Sequence, residues 1–329
     1  MAPCRTIVRM PELEYDDLLG LQSGVITRRQ LVDLGAAPHD LERLLRKREL
    51  VRVHDGVFVD HTGERTWLQR AWVGVLIAWP AALAADSAIR AEDGPGRSGR
   101  DDSRIHVAVD RDRRVRLPRG YRLHRMSGLD EKVRWNASPP RVRIEEALVD
   151  LSSKARDDFA AISVLADAIQ ARRTTAARIR ERLDDRARLP RRDFLRGVLR
   201  DIDRGTCSVL EHGYLTRVEA PHGIPVARRQ LRDSSNGPLY RDVAYVDFDQ
   251  LVELDGRLWH DGATQRDADL ERDLDAAVDR LNTVRVGWGQ VFERPCATAA
   301  RIGVLLEARG WTGRARSCPD CRDGLPLAS

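Results

Sequence analysis

Three carboxylates in the C-terminal third, Asp242, Glu253 and Asp255, have the types and spacing to gather at a divalent cation. Across 250–255 the apolar Val252 and Leu254 alternate with Glu253 and Asp255, so a strand of period two sets both acids on one face and the aliphatic pair on the other. The run 239–246 carries Asp242 among Val243, Ala244 and Tyr245, and the turn at 247–250 is short enough to pair the two runs antiparallel. The three acids then converge. Like charges about 4 Å apart repel by roughly 4 kcal/mol at an effective dielectric of about 20, so the cluster needs a cation or raised carboxyl pKa values. Oxygen-only ligands that retain water suit Mg2+ or Mn2+. The loop after these strands carries Trp259 and His260.

The rest of the chain must position that segment. Its 329 residues exceed one usual domain, and two or three are expected. No apolar run approaches the ~18 residues of a membrane span, 73–85 is broken by Pro80, and 1–14 lacks a signal-peptide pattern, so a cytoplasmic protein with no membrane partner is expected. Five scattered cysteines argue against a disulfide framework. The net charge of +5 permits a polyanionic partner. Only Lys47, Lys132 and Lys154 of the 56 basic residues are lysine, so the arginine excess records genome base composition as readily as phosphate contact.

The N-terminal sixty residues carry strong local signals. Thr27 and Gln30 form a capping box that opens a helix through Leu34, and Gly35 ends it. Pro38 suits a first helical position, and Leu41, Leu44 and Leu45 line one side of the next helix, leaving Arg43, Arg46, Lys47 and Arg48 for the other. In 50–59 the Asp55-Gly56 pair between alternating apolar residues marks a hairpin. Helix, turn, helix and hairpin spell a winged helix, and the segment resembles the N-terminal winged-helix domain of abortive-infection type IV antitoxins, which implies DNA binding; protein contact is the other use of such a module. On DNA, the helix near 39–48 would enter the major groove, with Arg52 or His54 near the backbone.

The middle of the chain is less specific. An apolar helical pattern covers 67–83, a short helix 85–90, and a strand 105–109 with 121–124 as its partner across the basic turn 111–120. Antitoxins of the same type often carry a mixed α/β segment here. His106 and His124 read as packed or solvated strand residues rather than a metal pair. Residues 144–199 look helical, with Pro190 separating two helices. Arg191, Arg192 and Arg196 read either as a solvated face or as phosphate contacts.

From 205 onward the pattern is helix 208–218, strand 226–232, the two acidic strands, helix 265–281, strand 283–288 and helix 297–309, an α/β sandwich around a small sheet. Here the chain resembles the PD-(D/E)XK nuclease superfamily, and within it the very-short-patch-repair endonucleases and a related family of unknown function reading E-x-D-G-x-x-x-H, which appears here as Glu253-Leu-Asp-Gly-Arg-Leu-Trp-His260. The resemblance implies that Glu211 is the helix acid opening the domain, that Arg229-Gln230 belong to its first strand, and that Asp242 is the central metal-binding aspartate. It further implies a proton-transferring role for His260 and a duplex wedge for Trp259, which otherwise reads as core. Asp255 stands where the superfamily usually has lysine. Arg272, on the next expected helix, falls near the acidic strand as a phosphate contact. The repair enzymes' cysteine-rich zinc site has no counterpart within 205–310, and Cys318-Pro-Asp-Cys321 is a single pair with only Cys207 and Cys296 in the same half of the chain, so it reads as a tail turn first and as a zinc site second.

The expectation is therefore a multidomain α/β chain: a winged helix over 1–64, a mixed α/β segment over 65–153, an arginine-rich helical connector over 154–204, a restriction-endonuclease-like α/β sandwich over 205–310 and a tail over 311–329. The resemblance implies a Mg2+- or Mn2+-dependent endonuclease acting on DNA, with Asp242, Glu253 and Glu211 as metal ligands, and Asp255 and His260 beside them. Against it stands a non-catalytic transcriptional regulator or antitoxin with a degenerate nuclease fold, partnered by a cognate toxin or a second copy. A binder of mismatched duplexes that does not cut is the third reading.

Overall fold

The computed structural model describes residues 15–94, 104–204, 208–233, 239–255, 283–321 and 324–325, of which 204, 208 and 229–242 are described by backbone position. The chain divides into two compact units, Met1–Ala147 and Leu148–Ser329, and the division falls inside the helix Ile144–Ser153. Among the described residues the architecture is mixed α/β, with sheets of three, five and four strands. No described helix is long and apolar enough to cross a membrane.

Local chemistry governs the start of the first unit. Helix α1 (Tyr15–Leu21) leads into strand β1 (Val25–Thr27) and helix α2 (Arg28–Asp33). Thr27 Oγ1 accepts from the Gln30 N–H at 3.1 Å and the Gln30 side-chain oxygen accepts from the Thr27 N–H at 2.9 Å, which satisfies two amides that α2 itself cannot pair. Gly35 then takes φ +88°, a left-handed conformation that ends the turn. Helix α3 (Pro38–Arg46) begins on Pro38, and Asp40 accepts from the Ala37 N–H at 3.0 Å. Gly56, at φ +69°, turns β2 (Val51–His54) into β3 (Val57–Val59), and the antiparallel sheet runs β1-β3-β2. Ile26, Leu31, Leu41, Leu50 and Phe58 close a core beneath these helices. Burial of each large apolar side chain contributes about 1.5–3 kcal/mol, more than a cap supplies.

The apolar run 67–83 is not one helix. Helix α4 (Trp67–Ile77) stops short, and Ala82–Leu83 form strand β4 instead. Pro80 has no amide to give and pushes the preceding residue out of helical geometry. The carbonyls left at the helix end are taken by Arg113, whose guanidinium donates to Ala78 O and Pro80 O at 2.6 Å and to Trp79 O at 2.9 Å. Helix α5 (Ala85–Asp93) follows, then β5 (Ile105–Asp110), β6 (Tyr121–Met126), α6 (Leu129–Lys132), β7 (Val133–Arg134) and β8 (Arg141–Val142), giving a sheet ordered β6-β5-β4-β8-β7. Tyr121–Met126 pairs with Ile105–Asp110, and the pairing is parallel.

In the second unit, after α7 (Ile144–Ser153), three helices form a layer: α8 (Asp158–Gln170), α9 (Ala176–Asp184) and α10 (Arg192–Arg204). Their arginines are turned inward on the chain's own acids. Arg191 Nε lies 2.9 Å from Asp158, Arg196 Nη2 2.6 Å from Asp184, and Arg192 donates to the Asp184 carbonyl at 3.2 Å. These side chains therefore tie helices together, which corrects the phosphate-contact alternative for 191–196.

The expected helix 208–218 is longer and irregular. It comprises α11 (Ser208–Gly213), a π-helical stretch (Tyr214–Glu219) and a last turn, α12 (Ala220–His222), closed by Gly223 at φ +65°. The wide turns, in which the Ala220 N–H reaches Leu215 O, immediately precede Pro221, whose ring would crowd a regular i−4 carbonyl. The sheet that follows is ordered β12-β11-β10-β9. Strands β9 (Arg228–Asp233), β10 (Leu239–Tyr245) and β11 (Gln250–Asp255) run antiparallel, and β12 (Thr283–Gly287) runs parallel to β11. Trp288 does not extend that strand. It opens α13 (Trp288–Phe292), because the Gly287 N–H donates to Gln290 Oε1 at 2.7 Å and so caps a helix. Helix α14 (Pro295–Glu307) completes the unit.

Candidate functional site

The pleat of the four-stranded sheet separates its residues cleanly. Val243 pairs with Val252, and Val252 with Val284; Tyr245 pairs with Gln250, and Leu254 with Val286. All seven are buried, and the Tyr245 hydroxyl meets the buried Tyr214 hydroxyl of the π-helical stretch at 3.0 Å. The opposite face carries the charged residues beside the paired Ala244 and Leu251. Glu253 pairs with Arg285 in the parallel ladder, and the Arg285 Nε lies 3.3 Å from Glu253 Oε2, with both side chains half-exposed. Asp255, on the same face two residues on, is buried and pairs with Gly287, which sets no side chain beside it.

Asp242 takes its position from the ladders. The pairs Arg241 with Leu231 and Val243 with Arg229 put Gln230 across from Asp242 on β9, and one step beyond Val243 and Val252 puts Glu253 across from Asp242 on β11. One row across the sheet thus reads Gln230, Asp242, Glu253, Arg285, flanked by the apolar row Val243, Val252, Val284. Arg229 belongs to that second row and not to the acidic one. Glu211 is half-buried on α11, a helix that packs chiefly on α10, α13 and the π-helical stretch. Trp259, His260, Arg272 and the expected helix 265–281 lie outside the described residues.

In the first unit Arg43, Arg46 and Lys47 are exposed on α3 and Arg52 is exposed on β2. Arg43 stands 3.6 Å from Asp40 and Lys47 3.7 Å from Glu49. Such exposed pairs contribute little and release readily to a stronger anion. His106 and His124 do come together, with stacked rings 5.0 Å apart and His124 Nε2 3.1 Å from His106 Nδ1. One nitrogen of each is spent on the other.

A second donor cluster lies in the second unit, where the sequence shows only half of it. Cys318 and Cys321 are not an isolated pair. Cys296, the second residue of α14, places its Sγ 3.8 Å from Cys318 Sγ; Cys318 and Cys321 Sγ are 3.7 Å apart; and His222 Nε2 lies 3.8 Å from Cys321 Sγ. No two of the four donor atoms are more than 4.8 Å apart. The separations exceed the ~2.05 Å of a disulfide, and the three thiols are free. His222 is fully buried, and its Nδ1 lies 2.9 Å from Val218 O, which fixes the proton there and leaves Nε2 with its lone pair toward the thiols. Burial holds its pKa below the ordinary value despite that hydrogen bond. Burial and the neighbouring thiols push Cys296 up to about 12, whereas at Cys318 burial is outweighed by N–H donors from Asp320 and Cys321, which lower it. Compared with protein-family models and with curated proteins, the chain matches none.

Proposed function

We propose that the protein is a Mg2+- or Mn2+-dependent DNA endonuclease whose N-terminal module, residues 15–59, is a winged helix that brings it to the duplex. The observation that carries this reading is the cross-sheet row in which Asp242 stands opposite Glu253, on the face away from the apolar core, with Asp255 beyond it. An α/β core of three antiparallel strands plus one parallel strand is compatible with the α/β sandwich around a small sheet that this reading calls for. The donors are oxygen only and Glu253 is half-exposed, which fits a hard cation that keeps part of its water.

Asp242 and Glu253 would hold the ion directly and Glu211 through water. The bound ion supplies polarisation of the scissile phosphate and neutralises the charge that develops on it. Arg285 balances the Glu253 carboxylate in the resting chain and can turn to a phosphate oxygen in the loaded site. His260 positions or deprotonates the attacking water. Trp259 wedges between base steps, Arg272 and Gln230 hold the strand, and Arg43, Arg46, Lys47 and Arg52 contact backbone phosphates near the major groove, whereas Arg229, in the apolar row, has no such role.

Supercoiled plasmid incubated with Mg2+ or Mn2+ tests this. Nicking that Asp242→Ala abolishes supports the enzyme. The Glu253–Arg285 ion pair favours one other reading, since an acid neutralised by arginine does not demand a cation: a DNA-binding regulator or antitoxin, partnered by a toxin or a second copy. No cleavage together with tight binding to a defined operator sequence would establish that reading instead.

A further inference from the structure

We propose that His222, Cys296, Cys318 and Cys321 form a closed tetrahedral zinc site that fastens the C-terminal tail to the second unit. Zinc holds thiolate sulfur at about 2.3 Å and imidazole nitrogen at about 2.0–2.1 Å, so tetrahedral ligands stand roughly 3.5–3.8 Å apart. The three contacts measured here are 3.7–3.8 Å. Three soft sulfurs and one imidazole select zinc over the hard cations that suit the acidic face. The tautomer of His222 is already set by Val218 O, the outer-sphere contact that ligating histidines ordinarily have. The Cys318–Cys321 turn is likewise shaped for a metal-bound thiolate, with the Cys318 N–H 3.4 Å from Cys321 Sγ and the Cys321 N–H donating to Cys318 O at 3.0 Å.

The site joins the tail to two segments that already pack on each other, the irregular helix and α14. His222 ends the irregular helix, Cys296 begins α14, and the tail arrives from Trp311. The tail makes close backbone contacts on its way: the Arg316 N–H donates to His222 O at 3.0 Å, a Cβ on Gly223 would lie 2.5 Å from Arg316 Nε, and one on Gly303 would lie 2.7 Å from Ala315 Cβ. Yet Thr312, Gly313, Arg314, Arg316 and Ser317 are exposed, so burial of apolar surface does not hold this stretch down. With four protein ligands and no open position, the ion is structural, and loading it releases the three thiol protons to solvent.

Elemental analysis of the reduced full-length chain is expected to give one zinc per chain, and cobalt substitution to give tetrahedral absorption bands with thiolate charge transfer. Cys321→Ser and His222→Ala should each lose the metal, while Cys207→Ser keeps it. Because a ligand variant can fail to fold, the wild-type chain provides a second readout. Titration with a thiol-blocking mercurial should release the zinc, and trypsin should then clip at Arg314 and Arg316, sites that the loaded chain protects. Metal content near zero with no cobalt spectrum, iron in place of zinc, or full zinc retention by Cys321→Ser would each overturn the proposal.

Discussion

Glu253 and Asp255 lie two residues apart on one strand, Glu253 half-exposed and Asp255 buried, whereas His222 and Cys321, 99 residues apart in the chain, meet in a cluster reached from three segments. The first set is oxygen, and among the described residues Glu253 contacts Arg285 at 3.3 Å. The second is sulfur and imidazole, with three contacts of 3.7–3.8 Å and no two donor atoms more than 4.8 Å apart. A half-exposed carboxylate can keep water on a bound ion, whereas a cluster that supplies four ligands leaves no open position. On the proposals above, the same unit carries one donor set for turnover and one for holding the fold.

Substitutions can separate the two. The largest expected effect is at the acidic face: Asp242→Ala should lower plasmid nicking by about 10²–10³-fold, with unchanged zinc content and melting temperature. Zinc removal by chelation should do the reverse, lowering the melting temperature by on the order of 10 °C while leaving DNA binding by the isolated N-terminal contacts intact. Calorimetry of apo and reloaded chain measures it, and equal melting curves would refute the structural role. Gly303→Ala touches no ligand, but its Cβ would meet Ala315 at 2.7 Å. It should destabilise the chain by about 1–3 kcal/mol in urea titration and weaken zinc retention against a competing chelator.

Smaller effects test the partners of each set. Arg285→Ala removes the guanidinium that neutralises Glu253 across 3.3 Å. Since an exposed pair contributes about 0–1 kcal/mol, the Mn2+ concentration for half-maximal nicking should fall by about 2–5-fold; no change would mean that Glu253 does not bind the ion. Arg46→Ala, on the exposed side of α3, should reduce the slope of log affinity against log salt by about 1 without changing sequence preference.

The parts of the molecule that could be read beforehand are those in which cause and effect lie within a few residues. Thr27 and Gln30 cap one another, Gly56 turns its own hairpin, and the alternation of Val252 and Leu254 with Glu253 and Asp255 fixes which face each acid takes. The apolar pattern through Leu83 is not one helix because Pro80 ends it, and the carbonyls left there are taken by Arg113, 33–35 residues away, a partner no local pattern shows. At 191–196 the sequence leaves a solvated face and phosphate contacts both open, and the layer of α8, α9 and α10 instead sets acids against Arg191 and Arg196.

Sequence alone determined the local elements, the two-faced acidic strand and the half-site Cys318-Pro-Asp-Cys321, because caps, turns and pleats are short-range and depend on residue type and spacing. Only the tertiary structure decided that Cys296 and His222 complete that half-site and that the strand register sets Asp242 across from Glu253. Both outcomes depend on how distant segments pack, and packing is fixed by the shape of the whole core rather than by any stretch of it.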